Sequence, residues 1–81
     1  MKFEHPEFHR ISINSDICFG KPHITGTRMP VSSVLSYLSS GMALEDLLKE
    51  FSQLTREDVL EALAFASVMM NERLIPLQKA S

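Results

Sequence analysis

The spacing of apolar residues between positions 31 and 70 constrains this chain more than any other feature. Val31, Val34, Leu35 and Leu38 fall at i, i+3, i+4 and i+7, so a helix places them on one face. Leu44, Leu47, Leu48 and Phe51 repeat that spacing. Met29-Pro30 opens the first helix, because proline's fixed torsion suits a first helical turn. Gly41 stops it, since glycine readily takes the left-handed conformation that follows a helix end. A third helix starts at Thr55, whose hydroxyl can cap a free backbone N–H, with Glu57 and Asp58 at the positive end of its dipole. It runs through Val59, Leu60, Leu63, Phe65, Ala66, Met69 and Met70 to about Glu72. The connections, Gly41-Met42 and the run SQLT, are short, which forces the three helices into one packed unit.

Before residue 29 the period changes. In RISIN, Ile11 and Ile13 alternate with polar neighbours, and HIT is a second short β candidate. The two can pair as a ribbon, within one chain or between chains. The expected fold is therefore mainly α, one domain over residues 1–81. An arm and short β segment (1–29) precede a three-helix core (30–72) and a tail (73–81).

Composition decides which partners such a unit can take. At 44% hydrophobic and 22% charged the chain has the balance of a soluble folded domain. Its one cysteine, Cys18, rules out a disulfide within the chain and suits a reducing, cytoplasmic setting. No apolar run is long enough for a membrane helix, and the N-terminus lacks a signal-peptide core. The net charge of −2 conceals an asymmetry. Lys2, Arg10, Lys21 and Arg28 outnumber the acids of the first 30 residues, while acids outnumber bases afterwards. Contacts to nucleic acid should therefore lean on the N-terminal third. A chain this short buries limited apolar area alone, so a homodimer or other partner is expected.

Residues 20–31, GKPHITGTRMPV, hold two of the three glycines and two of the four prolines. A phosphate-cradling loop needs G-x-x-x-x-G-K-[ST], and here the lysine follows the wrong glycine with no hydroxyl residue behind it. Turns at Gly20-Lys21-Pro22 and Thr25-Gly26-Thr27, with Gly26 at positive φ, account for the composition. Arg28 either holds the second turn together or points outward as a phosphate or carboxylate ligand. His5, His9, Cys18 and His23 are ligand-type residues, but no second tight pair completes a metal site, and scattered surface histidines account for them. Glu45, Asp46, Glu50, Glu57, Asp58 and Glu61 fall on polar helix faces or first turns, where solvation and helix dipoles explain them. The chain reads as a non-enzyme with no cofactor.

ALEDLLKEFSQLTREDVLEAL has the spacing of a helix–turn–helix. Such a unit would present Thr55, Arg56, Glu57, Asp58 and Glu61 to a DNA groove. One arginine among acids is a poor match for phosphates, so topology and charge pull apart. The tail NERLIPLQKAS carries Leu74, Ile75 and Leu77 around Pro76, an apolar segment that either folds back or docks on a partner.

The run from INSDICFGKPHITGTRMPV to LTREDVLEALAFA resembles the domain of unknown function 433 family. The family's hallmark is a GKP-x-I-x-GTR-x-P-V run, a helix ending in glycine, an E-E-I-L-x-x-F/Y-type helix, then L-T-x-E-D-V-x-x-A-L. The resemblance spans roughly residues 11–77. One departure is Ala43, where the family usually has a capping Ser or Thr; that loss costs on the order of 1 kcal/mol. The resemblance implies a homeodomain-like core behind a short β segment, and an antitoxin of VapB type partnered with a PIN-like ribonuclease toxin. On that implication Arg73 would pair with the toxin's metal-binding acids, with Leu74, Ile75 and Leu77 as apolar anchor and Lys79 as a weaker cation. Lys21, Arg28, Arg56 and Thr55 would meet promoter DNA. The alternative is a stand-alone helix–turn–helix regulator or adaptor without a toxin.

Overall fold

The computed structural model describes the backbone of residues 2–5 and 8–72 and the side chains of 8–71. The three helices expected from periodicity are present: α1 (Val31–Ser39), α2 (Leu44–Glu50) and α3 (Arg56–Glu72). Ahead of them lie β1 (Lys2–His5), β2 (Phe8–Asn14) and β3 (His23–Ile24), which form an antiparallel sheet in the order β1-β2-β3. The RISIN and HIT segments pair within the chain, Ile11 opposite Ile24 and Ser12 opposite His23. β1 was not expected; no apolar alternation marks it, and it joins by pairing Lys2 to Asn14 and Phe3 to Ile13.

The core forms where the sheet meets the helices. Ile11 and Ile24 from the sheet, Val31 and Val34 from α1, Leu47 from α2, and Val59, Ala62 and Phe65 from α3 are buried together with Phe8, Met29 and Leu54. Phe8 and Phe65 meet edge to face, ring centres 5.5 Å apart, which joins β2 to α3 with the geometry aromatic quadrupoles favour. Alternation along β2 is imperfect, because Ser12 is buried beside Ile11. The hydroxyls of Ser12 and Thr25 lie 2.5 Å apart, and Thr25 also reaches the His9 carbonyl, so this polar burial is satisfied.

Helix ends follow the sequence with two adjustments. Gly41 (φ +103) closes α1 as expected: its N–H bonds to the Leu38 carbonyl and that of Met42 to the Tyr37 carbonyl, a Schellman arrangement. Pro30 is the N-cap of α1 rather than its first helical residue, with extended torsions of −65° and 148°. Ala43 stands at the N-cap of α2 and supplies no side-chain bond. At α3 the cap is reciprocal: the Asp58 N–H donates to Thr55 Oγ1 at 3.1 Å, and the Thr55 N–H donates to Asp58 Oδ2 at 3.0 Å.

Asp58 therefore does more than face a helix dipole. It is 8% exposed, and its Oδ1 also accepts a hydrogen bond from Arg10 Nη1 at 3.1 Å. The Arg10 backbone N–H donates to Glu61 Oε2 at 2.6 Å. Two of the six carboxylates read as solvated from the sequence thus fasten β2 to the first turns of α3. No helix among the described residues is long and apolar enough to cross a membrane.

Candidate functional site

The stretch GKPHITGTRMPV leaves one turn at Gly20 and contains a second, linked to it. The second spans Ile24 to Thr27, closed by a Thr27 N–H to Ile24 carbonyl bond of 3.0 Å, with Gly26 at φ +82. A side chain other than glycine would be strained there, so the glycine is needed for conformation and not for space. Thr27 then ties the loop: its hydroxyl donates to the Ile24 carbonyl at 2.8 Å and accepts the Met29 N–H at 3.0 Å. The Ile24 N–H reaches back to the Met29 carbonyl at 2.9 Å.

With that work done by Thr27, Arg28 is left over. Its guanidinium makes no hydrogen bond or ion pair among the described residues, and the side chain is exposed. Of the two roles open to Arg28 in the sequence, holding the turn is therefore performed by other groups.

The first turn lies one step earlier than expected. The Gly20 N–H bonds to the Ile17 carbonyl and that of Lys21 to the Cys18 carbonyl, so the chain reverses over Cys18–Gly20 rather than over Gly20-Lys21-Pro22. Cys18 (φ +54), Phe19 (φ +56) and Gly20 (φ +79) are all left-handed. Two non-glycine residues there carry a cost of roughly 1–3 kcal/mol each, met by the surrounding bonds. One of those bonds is from Cys18 Sγ to the Arg28 carbonyl at 3.1 Å, which links the two turns. The Phe19 side chain is 98% exposed.

Ile17, Gly26, Thr27 and Arg28 share an open groove of about 510 Å³ with Gln53, from the connection between α2 and α3. The groove thus sets Arg28 beside the connection between α2 and α3. Arg56 is exposed in the first turn of α3, three residues beyond Gln53. Thr55 has its oxygen committed to the cap, leaving only its proton to donate outward. Lys21 is not part of this groove; it lines a separate apolar one between α1 and α3. Arg73, Leu74, Ile75, Leu77 and Lys79 lie outside the described residues, as do the side chain of His5 and the whole of the tail.

The other histidines go separate ways. His23 is 2% exposed with Nδ1 3.4 Å from the Lys21 carbonyl, whereas His9 is exposed. Among the described residues no group of three or more His, Cys, Asp or Glu side chains could hold a metal ion. The arrangement offers a binding chemistry: a guanidinium and an amide beside a groove, suited to a phosphate or a carboxylate.

The model of the family described as "Protein of unknown function (DUF433)" matches residues 11–66. The chain belongs to the DUF433 family. The matched segment contains the second half of β2, both turns, α1, α2 and the first part of α3, so the groove around Arg28 is built wholly from the DUF433 domain. The crystal structure of a DUF433 member protein from Anabaena variabilis ATCC 29413 is similar, with a TM-score of 0.72 and 28% sequence identity. The similarity covers 78% of this DUF433 chain but 62% of that one, so the chain spans less than two thirds of that protein. No curated protein matches the chain.

Two features escaped the sequence reading. Phe19 carried no signal beyond standing before a glycine. Arg10 looked like any strand arginine, since its partner Asp58 is 48 positions away.

Proposed function

We propose that this DUF433 protein is the antitoxin of a type II toxin–antitoxin pair, a binding protein that covers a PIN-like ribonuclease. One observation carries the reading of a binding protein: the described surface leaves Phe19, Leu60, Leu63 and Met70 between 40% and 98% exposed. On so small a domain, these large apolar side chains are open to contact with a partner, and aromatic and Met side chains are enriched at interfaces. The kind of partner comes from the family resemblance. A PIN-like nuclease needs clustered carboxylates to hold divalent metal for phosphodiester hydrolysis. An inhibitor can enter that pocket with a guanidinium, which pairs with carboxylates through two parallel hydrogen bonds. Arg73 is the residue proposed for that role, with Leu74, Ile75 and Leu77 as the apolar anchor and Lys79 as a secondary cation. The test is to co-purify this chain with the nuclease-like protein encoded beside it and assay ribonuclease activity. Arg73→Ala is expected to weaken inhibition at least about tenfold, as loss of a buried charge-assisted pair does. Inhibition by the variant equal to that of the wild type would remove the arginine mechanism.

A second reading, that of a homeodomain-like helix–turn–helix regulator on promoter DNA, is favoured by the groove that places Arg28 beside Gln53. Here α2 and α3 would form the helix–turn–helix, with Arg28 and Arg56 on phosphates, Thr55 donating its remaining proton, and Lys21 contributing from the adjoining face. Two copies would suit a two-fold operator. In gel shifts on the upstream region, Arg28→Ala and Arg56→Ala should each lower the salt slope by about 1. No shift by the wild-type chain at low salt would end this reading for the chain acting alone.

A further inference from the structure

We infer that the groove between α1 and α3 binds a small anionic amphiphile, a medium-chain carboxylate whose head group meets Lys21. The groove is almost wholly apolar. Buried Val31 and Phe65 line it, with Leu35 on the α1 side and Ala66 and Met69 on the α3 side. Lys21 is the only charged residue among the described residues that line it. Neither the Lys21 ammonium nor the Ser32 hydroxyl, also on the rim, has a hydrogen bond or ion pair among the described residues. An unpaired cation at the edge of an apolar cleft is complemented by a ligand with one negative charge and an apolar body.

The polar groups sit together. The Val31 N–H donates to the Pro22 carbonyl at 2.9 Å, which brings their chain neighbours Ser32 and Lys21 to the same end of the groove. The head-group end is therefore set where the loop meets the start of α1. From there α1 carries the lining one turn on, from Val31 to Leu35, so apolar wall extends away from the charge. An extended ligand with one polar end fits that order of groups. A compact polar ligand would find no further partners along it.

Size narrows the ligand class. The groove has a volume of about 280 Å³, just below the roughly 300–1,000 Å³ of most small-molecule sites. An apolar cavity of roughly 150 Å³ holds the six carbons of benzene, so this one has room for a single chain of roughly eight to ten. A two-chain lipid is too large. One ammonium balances one negative charge, which favours a carboxylate over a phosphate monoester that carries close to two. Met69 suits the wall, because its flexible thioether adapts to the shape of an inserted chain. The site is independent of a nuclease partner, and a bound head group would take up the Lys21 charge that the DNA reading gives to phosphate.

Calorimetric titration of octanoate into the full chain is the test, with methyl NMR to locate the ligand. Octanoate should bind about tenfold more tightly than hexanoate, since each buried CH₂ is worth roughly fourfold. It should bind about fivefold more tightly than octanol, the upper range for an exposed ion pair. Lys21→Gln, an exposed change, should erase the preference for octanoate over octanol with circular dichroism unchanged. Ala66→Leu should narrow the groove and weaken both ligands. The methyl signals of Leu35 and Met69 should shift on binding, while those of Leu60 and Leu63, exposed elsewhere on α3, should not. Absence of octanoate binding at millimolar concentration would overturn the inference. Equal binding of octanoate and octanol by the wild type would do the same. So would methyl contacts from Leu74 or Leu77 to Met69 in the free chain, which would assign the groove to the tail. Concentration-dependent shifts of Leu35 without ligand would assign it to a second copy instead.

Discussion

Leu47→Ala should destabilise the fold by about 3 kcal/mol, the middle of the range for truncating a fully buried leucine. Leu47 is 0% exposed and is the only fully buried residue of α2. That helix has seven residues, too few to persist without tertiary packing, and Ala43 gives it no side-chain cap. Leu44, Leu48 and Phe51 pack only partly against the core, so they do not replace the lost contact. A domain of this length has a total stability toward the lower end of the usual 5–15 kcal/mol, and the loss would take a large share of it. Thermal unfolding should show the midpoint lowered by roughly 12–24 °C, at 4–8 °C per kcal/mol. A fall of less than about 4 °C would mean that α2 is held by something other than Leu47.

Asp58→Ala should cost about 2 kcal/mol, more than any single bond it makes. Its carboxylate accepts the Thr55 N–H and the Arg10 guanidinium, and its own N–H uses the Thr55 hydroxyl. Loss of the acceptor leaves a helix-start N–H unsatisfied, which costs roughly 1–2 kcal/mol in this partly buried setting. The Arg10 pair adds little, about 0.5 kcal/mol, because the arginine side chain is 45% exposed and screened by water. Thr55→Ala, which removes only the hydroxyl half of the cap, should cost about 1 kcal/mol. A double-mutant cycle between the two positions, read by urea unfolding, should give a coupling above 0.5 kcal/mol in magnitude, as expected for residues that share one network. Equal costs for Asp58→Ala and Thr55→Ala would show that the carboxylate contributes nothing beyond the local cap.

The parts of this molecule that were legible in advance are those fixed by near neighbours in sequence. The i, i+3, i+4, i+7 spacing of Val31–Leu38 and Leu44–Phe51 located α1 and α2. Gly41 and Thr55 marked the helix ends, because caps involve residues only a few positions apart. The apolar spacing of α3 was less informative, since that helix carries two apolar stripes. Val59, Ala62 and Phe65 are buried, whereas Leu60, Leu63 and Met70 face outward. Periodicity reports that a stripe exists, and only the neighbouring elements decide which one is covered.

Long-range contacts left no local trace. Arg10 and Asp58 each look like ordinary charged residues, and β1 has no alternation to announce it. The candidate site was legible as a loop and as a family motif, but the division of labour within it was not. Thr27 and Arg28 are adjacent polar residues of similar promise in sequence; the structure gives one the turn and leaves the other free.

The two ends of helix packing also imply an order of assembly. The start of α3 is satisfied by Thr55 and Asp58, three positions apart, so its first turn can nucleate from local chain alone. The start of α1 has no such device. Pro30 offers no side-chain bond, and the Val31 N–H is taken by the Pro22 carbonyl on the far side of the intervening loop. Loop closure must therefore come before α1 gains its full start, and that closure carries the entropic cost of fixing the chain between Pro22 and Val31. The GTR stretch acts on folding as a latch: until Thr27 ties it, the first helix lacks the acceptor that completes its N-terminus.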